Sequence, residues 1–230
     1  MAMFASDREY GPDHVPYIAM RLLPASLGIA LVPVAYLTLR SLGCRPATAL
    51  LASLLLTFEN GLITQSRLIL LDSPLIFFTG LTTFFWVGFS AEDGRRAGSS
   101  CLGPFSRHWW AWLAMTGVCL GATVTCKWVG LFTIATVGLA VLEQLWQILG
   151  DTRVPMKTLA RHFVARALCL IVIPAFVYMF WFKIHFMILN HSGDGDGFMS
   201  SEFQHTLGGH GMPDTFAGML LFTFANMKDA

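Results

Sequence analysis

The residues with the means to do chemistry are ionic side chains set at the ends of long apolar stretches. Arg21 stands four residues after Tyr17, at the head of a run rich in Leu, Ala and Val. Arg67 and Asp72 flank an apolar stretch in Ser66-Arg67-Leu68-Ile69-Leu70-Leu71-Asp72-Ser73, and Glu59 and Gln65 add polar groups just before it. Lys127, in Thr125-Cys126-Lys127-Trp128-Val129-Gly130, is the only Asp, Glu, Lys or Arg between Arg107 and Glu143. A charge at bilayer depth costs ~2.5–3.5 kcal/mol on insertion scales, so each of these needs a reason. Arg21 reads either as an arginine snorkelling to the interface or as an anion site, since a guanidinium contacts phosphate bidentately. Lys127 reads as a snorkelling lysine or as a cation that neutralises a lipid phosphate. If the 67–72 stretch is helical, Arg67 and Asp72 fall about a turn and a half apart, and a structural ion pair competes with a role in a pocket.

Other chemistries find little support. The chain has no Walker motif, nucleophile elbow or dinucleotide fingerprint. Its histidines are scattered, and the stretch around Asp194 and Asp196 resembles a calcium loop only superficially, without a later acidic ligand at the proper spacing. Asn190-His191-Ser192 fits a glycosylation sequon, close to the membrane. Cys44, Cys101, Cys119, Cys126 and Cys169 are scattered with no CxxC pair, which points to structural thiols and no metal site. The net charge of +1 says little about partners, but with no charge run and no basic, aromatic-interleaved patch nucleic acid is not an expected partner.

These charges need elements to hold them, and composition says what kind. Of 230 residues, 55% are apolar and 13% charged, where a soluble domain carries ~25% charged. A soluble chain of this length must coat its core with polar residues, and this one has too few. Spanning helices need ~20 mostly apolar residues each. The runs predict about six: 17–39, 47–64, 74–89, 109–125, 128–149 and 163–187. Pro24 lies in the first turns of the first span, Pro33 in its interior and Pro174 inside the sixth, the last two as kinks. Pro46 restarts a helix after the short loop 40–45. Residues 90–108 read as a polar loop, 150–162 as a basic, partly helical connector, and Trp109, Trp110 and Trp112 as an interfacial aromatic belt. The fold class is therefore all-α, a polytopic membrane protein.

Orientation follows from the basic residues. The loops at 40–45, 90–108 and 150–166, with their helix ends, hold Arg40, Arg45, Arg95, Arg96, Arg107, Arg153, Lys157, Arg161 and Arg166, nine of the fifteen Lys and Arg. The positive-inside rule puts this side in the cytosol. Arg21, Glu59, Arg67, Asp72 and Lys127 then share the exoplasmic or luminal side with the amino terminus and the stretch after residue 187. Unaided, these residues describe a cationic, partly embedded luminal cleft suited to a phosphate-bearing lipid.

Five blocks, in order, then resemble a family. They are Val15-Pro16-Tyr17-Ile18-Ala19-Met20-Arg21-Leu22, Thr64-Gln65-Ser66-Arg67-Leu68-Ile69-Leu70-Leu71-Asp72-Ser73, Lys127-Trp128-Val129-Gly130-Leu131-Phe132, Leu145-Trp146-Gln147-Ile148-Leu149-Gly150-Asp151, and Gly195-Asp196-Gly197-Phe198-Met199-Ser200-Ser201-Glu202-Phe203-Gln204. Together they resemble the protein O-mannosyltransferases, dolichyl-phosphate-mannose–protein mannosyltransferases of the GT-C membrane architecture in the endoplasmic reticulum. The resemblance spans about residues 10–212, a central piece of a typical member. It implies a GT-C-like partial membrane domain and inverting transfer of mannose from dolichyl phosphate mannose to Ser or Thr of secretory proteins, with no metal cofactor. It further implies a homo- or heterodimer with another member. On this resemblance Arg21 and Lys127 are expected to bind the donor phosphate. Glu59, Gln65, Arg67 and Asp72 would shape the luminal pocket, and Asp196, Ser200, Ser201, Glu202 and Gln204 would border the acceptor.

The departures shape the expectation as much. The family activates its acceptor with an Asp of an Asp-Glu pair on the first luminal loop, which also carries Asp-Val-His-Pro-Pro, and neither motif occurs here. A general base must reach the attacking hydroxyl, so no catalytic residue is assigned. The expected organisation is the end of a luminal loop (1–16), a six-helix membrane region (17–187), a luminal loop (188–212) and an apolar tail foreign to the family (213–230), in place of a MIR domain. The chain is thus expected to be a fragment without turnover of its own. The alternative is a non-catalytic membrane subunit that docks with a full-length partner. A transporter is disfavoured, because no half of the chain repeats the other.

Overall fold

A computed structural model describes residues 17–97, 105–188 and Gln204. The chain divides into two units, Tyr10–Tyr178 and a second of Met1–Glu9 with Met179–Ala230. The packing described below lies within the first. Its helices are α1 (Tyr17–Ser41), α2 (Pro46–Thr57), α3 (Asn60–Arg67), α4 (Asp72–Ala97), α5 (Arg107–Cys126), α6 (Leu131–Gly150), α7 (Met156–Ala167) and the start of α8 (Ile173–Ile188). Among the described residues there is no strand. Among the described residues five helical segments are long and apolar enough to cross a membrane, and six if α2 and α3, bent by 55° at their junction, form one span. The expected all-α polytopic fold is what forms.

Local chemistry explains the breaks. Gly43, at φ +85°, ends α1 in the left-handed region that glycine tolerates, and its N–H donates to the Arg40 carbonyl. Pro46 opens α2 at the position where a missing donor costs least. Glu59 separates α2 from α3 by capping the latter: its carboxylate accepts from the backbone N–H of Gly61 at 3.0 Å and of Leu62 at 2.6 Å. The helix α1 runs unbroken through Pro24 and Pro33, so Pro33 does not divide it. Ahead of Pro174 the backbone widens into a π-helical turn, Leu168–Val172, which joins α7 to α8. A widened turn accommodates the proline ring, which would otherwise crowd the carbonyl of Leu170.

Three sequence expectations change. Residues 90–97 continue α4 rather than opening a loop, because their polar side chains find partners: Glu92 pairs with Arg95 at 2.6 Å and Asp93 is held by other helices. The basic connector forms α7, which runs on into the last span instead of lying apart from it. Trp109 is not an interfacial belt residue. It is fully buried against Phe89 and Phe105, and Trp112 packs on Phe84 and Phe85; Trp110 alone of the three is exposed.

The packing is that of helices in lipid. Large apolar side chains point outward, Phe132 at 76% exposure and Ile29 at 73% among them. Lipid tails solvate such a surface, so close backbone approach and interhelical hydrogen bonds must hold the helices together. The approach is made at α5, the most buried of the spanning helices. A Cβ on Gly117 would sit 1.9 Å from the Cys169 carbonyl oxygen, and one on Gly121 would sit 3.0 Å from Pro174 Cα. This Gly117-Val118-Cys119-Leu120-Gly121 stripe is the groove that receives the π turn and Pro174. Cys44, Cys119, Cys126 and Cys169 are free thiols among the described residues, and Cys101 lies outside them.

Candidate functional site

Two polar clusters form, one at each end of the α4–α5 pair. The first gathers the sequence candidates. Asp72 is the first residue of α4, where a carboxylate meets the positive end of the helix dipole. Lys127 lies in extended backbone between α5 and a single 3-10 turn, Trp128–Gly130. Its amine is 3.0 Å from Asp72 Oδ1, with side-chain exposures of 49% and 29% for the lysine and the aspartate. The reversal from α5 to α6 is tight because Gly130 lies on α5: a Cβ there would sit 2.8 Å from the Thr123 carbonyl oxygen.

The start of α1 joins the same cluster. Ser73 Oγ donates to the Pro24 carbonyl at 2.7 Å, although the two residues are 49 positions apart. A Cβ on Gly28 would sit 2.7 Å from Ser66 Cβ, so α3 also lies against α1. Arg21 is three residues from Pro24 along the helix, exposed, with its guanidinium 6.0 Å from the Tyr17 ring centroid. Arg21 and Arg67 form no ion pair among the described residues. One end of the molecule thus presents Arg21 and Arg67 as exposed cations beside a lysine held by a carboxylate.

Not every expectation survives in its first form. Arg67 and Asp72 do not pair, because the helix they were to share does not exist. The helix α3 ends at Arg67, residues 68–71 are non-helical, and Asp72 starts α4 with Lys127 as its partner. Glu59 is a helix cap and Gln65 a half-buried residue of α3. Asp196, Ser200, Ser201 and Glu202 lie outside the described residues, as do the calcium-like stretch and Asn190; Gln204 is exposed. Among the described residues no His, Cys, Asp and Glu group is arranged to hold a metal.

The second cluster was not singled out from sequence. Arg166 of α7, its side chain 1% exposed, places Nη2 2.9 Å from Asp93 Oδ2 of α4. It also reaches Gln144 Oε1 of α6 at 3.2 Å and His162 Nδ1 at 2.8 Å. Trp109 Nε1 of α5 donates to Asp93 Oδ1 at 2.7 Å, and Gln144 donates to Ser90 Oγ at 3.0 Å. The guanidinium stands 5.2 Å from the Phe89 ring and 5.8 Å from that of Trp109. One buried arginine therefore bonds groups of α4, α6 and its own α7, and Trp109 of α5 joins them through Asp93, at the end of α4 remote from Lys127. The one signal in the sequence was an Asp and an Arg each within a turn or two of an apolar run, which counts of loop charges alone conceal.

The sequence pattern of the family described as "Dolichyl-phosphate-mannose-protein mannosyltransferase" matches residues 3–190. Dolichyl-phosphate-mannose–protein mannosyltransferase 4 of Candida albicans is 44% identical over 199 residues, covering 86% of this chain and 25% of that protein. Protein O-mannosyl-transferase 2 of Danio rerio is 40% identical over 223 residues, 95% of this chain and 28% of the relative. The solved Saccharomyces cerevisiae protein O-mannosyltransferase Pmt1-Pmt2 complex bound to the sugar donor superposes with a TM-score of 0.77 at 35% identity. That match covers 89% of this chain and 27% of the solved one. The chain therefore spans about a quarter of the length of the curated relatives it matches. With the family pattern running through α1 to α8, this polypeptide belongs to the dolichyl-phosphate-mannose–protein mannosyltransferase family.

Proposed function

We propose that this chain is the donor-holding part of a membrane enzyme that moves mannose from dolichyl phosphate mannose to Ser or Thr of secretory proteins. The proposed setting is the luminal side of the endoplasmic reticulum membrane. The observation that carries the reading is the gathering of Arg21 and Lys127 at one end of α1, α4 and α5, linked by the Ser73–Pro24 and Asp72–Lys127 contacts. As the bond from mannose to phosphate breaks, negative charge grows on the departing phosphate, and fixed cations stabilise it without reorganising. Arg21 has no acidic partner among the described residues to neutralise it, so its guanidinium is the first group assigned to that phosphate. Lys127 is the second, with Asp72 as the positioning residue that fixes its amine. In this reading cations of the chain itself, rather than a metal, carry the phosphate charge. Glu59, Gln65, Arg67 and Asp72 would shape the pocket, and Asp196, Ser200, Ser201, Glu202 and Gln204 would border the acceptor. The base that deprotonates the acceptor is not assigned to any residue of this chain.

The test is Arg21→Ala in a full-length polypeptide carrying this segment, assayed with dolichyl phosphate mannose and a Ser/Thr peptide. Loss of one positioned transition-state donor is worth about 100-fold or more in rate, and membrane insertion should be unaffected. Unchanged transfer would remove Arg21 from the donor site.

A second reading is favoured by the form of the solved neighbour, a complex of two family members. We infer that this chain also pairs with another member and can dock as a non-catalytic subunit. Co-purification of the tagged chain with a full-length member from detergent extracts is expected, and its failure at every expression ratio would count against docking.

A further inference from the structure

The loop-bearing end of the molecule holds a second set of cations that the donor reading does not use. The helix α7 begins after a turn in which the Arg153 N–H donates to Asp151 Oδ1 at 3.0 Å. One face of α7 is buried through His162, Ala165 and Arg166. Beside it opens a cavity of about 540 Å³, walled on the α5 side by Phe105 and Trp110. Its α7 wall carries Lys157, Arg161, Val164 and, in the π turn, Leu168. These four follow one another at spacings of four, three and four residues, so they form a single stripe along the helix.

The order of that stripe matters. Lys157 and Arg161 lie within the first two turns of the apolar helical stretch Met156–His185, nearest the loop, and the apolar pair Val164 and Leu168 lies further along it. Along the membrane normal the groove is therefore cationic at its mouth and apolar beyond. Among the described residues no acidic side chain lines it. Neither Lys157 nor Arg161 takes a hydrogen bond or an ion pair among the described residues. Arg166, one turn away on the buried face, is held by Asp93, Gln144 and His162. A groove so polarised matches a molecule with an anionic head and an apolar chain, entering from the leaflet on this side.

We propose that this groove binds an anionic phospholipid of that leaflet, with its phosphate between Lys157 and Arg161 and an acyl chain along Val164 and Leu168. The sugar donor is assigned to the opposite end of α4 and α5, so the two lipids occupy different leaflets. The 230-residue chain, purified and delipidated in mild detergent, would be titrated with dioleoyl phosphatidylserine, dioleoyl phosphatidylcholine and glycerol 3-phosphate. Native mass spectrometry would count retained lipid, and thermal unfolding would report stabilisation. Two basic side chains at an anionic head favour phosphatidylserine over phosphatidylcholine by about thirtyfold. The pair Lys157→Gln/Arg161→Gln should bring phosphatidylserine down to the phosphatidylcholine level. The swap Lys157→Arg/Arg161→Lys should keep it, and shows that the neutral variant fails by charge and not by misfolding. Arg107→Gln, an exposed cation outside the groove, should leave retention unchanged. Equal retention of the two lipids would overturn the proposal. So would phosphatidylserine retention that survives the double neutralisation, or that falls as far with Arg107→Gln. Binding of glycerol 3-phosphate as tight as the whole lipid would replace it with a bare phosphate site.

Discussion

Truncating Asp93 to alanine would test whether a single buried ionic network holds α4, α5, α6 and α7 together. The carboxylate accepts from Arg166 Nη2 at 2.9 Å and from Trp109 Nε1 at 2.7 Å. After its removal the Arg166 side chain, 1% exposed, keeps Gln144 and His162 but loses the one counter-charge it has among the described residues, where its Nε already has no partner. Removing one member of a buried pair costs ~3–5 kcal/mol, because the other charge stays behind unpaired. Two acceptors remain to Arg166 and Asp93 is 18% exposed, so the low end, about 3 kcal/mol, is expected. Arg166→Met should cost less, about 2 kcal/mol, because water reaches the remaining carboxylate. The double variant Asp93→Ala/Arg166→Met removes both charges and should be more stable than the sum of the singles allows, by about 1–3 kcal/mol of coupling. Unfolding in detergent micelles, followed by tryptophan fluorescence and far-ultraviolet circular dichroism, gives all four corners of the cycle. If Asp93→Ala lies within about 0.5 kcal/mol of the parent, or if the single effects simply add, the network does not hold the helices.

Three further expectations follow from the packing and the donor reading. Gly117→Ala should destabilise by about 1–3 kcal/mol and by more than Gly121→Ala. The added methyl at 117 meets a backbone carbonyl at 1.9 Å, whereas at 121 its nearest contact is Val177 Cβ at 2.7 Å; unfolding midpoints in the reverse order would refute the groove. Asp72→Asn in a full-length polypeptide should lower donor turnover less than Arg21→Ala, because it loosens Lys127 without removing a cation. Equal or greater loss, measured as kcat and KM for the donor, would make Asp72 more than a positioning residue. Single cysteines at Arg67→Cys and Lys127→Cys should react with an impermeant maleimide only after sealed microsomes are opened, and Arg153→Cys before. Opposite-sided labelling of positions 67 and 127 would dismantle the site.

What holds the two clusters differs in kind from what holds a soluble core. Apolar burial is available to every face of these helices in lipid, so it selects none of them. Selection falls to the few polar contacts and the close glycine approaches, which is why Ser73 to Pro24, Asp72 to Lys127 and the Arg166 network occur at helix junctions.

Composition and hydrophobic run length by themselves determined the solvent, the class and the approximate spans of this protein. A run of ~20 apolar residues has one stable fate in a bilayer, where every backbone group must be bonded within the segment. Five ordered sequence blocks were enough to place its family. The same reading singled out Arg21, Asp72 and Lys127 as candidates, because an ion beside an apolar run is visible without any structure. Only the tertiary structure decided who pairs with whom. Asp72 takes Lys127, 55 positions away, instead of its neighbour Arg67, and Trp109 turns inward to Asp93 rather than outward to the interface. Arg166, one of many loop-side arginines in the sequence, becomes the most confined cation described. Pairing depends on which helix faces which, and in a chain apolar on nearly all sides periodicity carries no record of that choice; close packing across α4, α5 and α7 makes it.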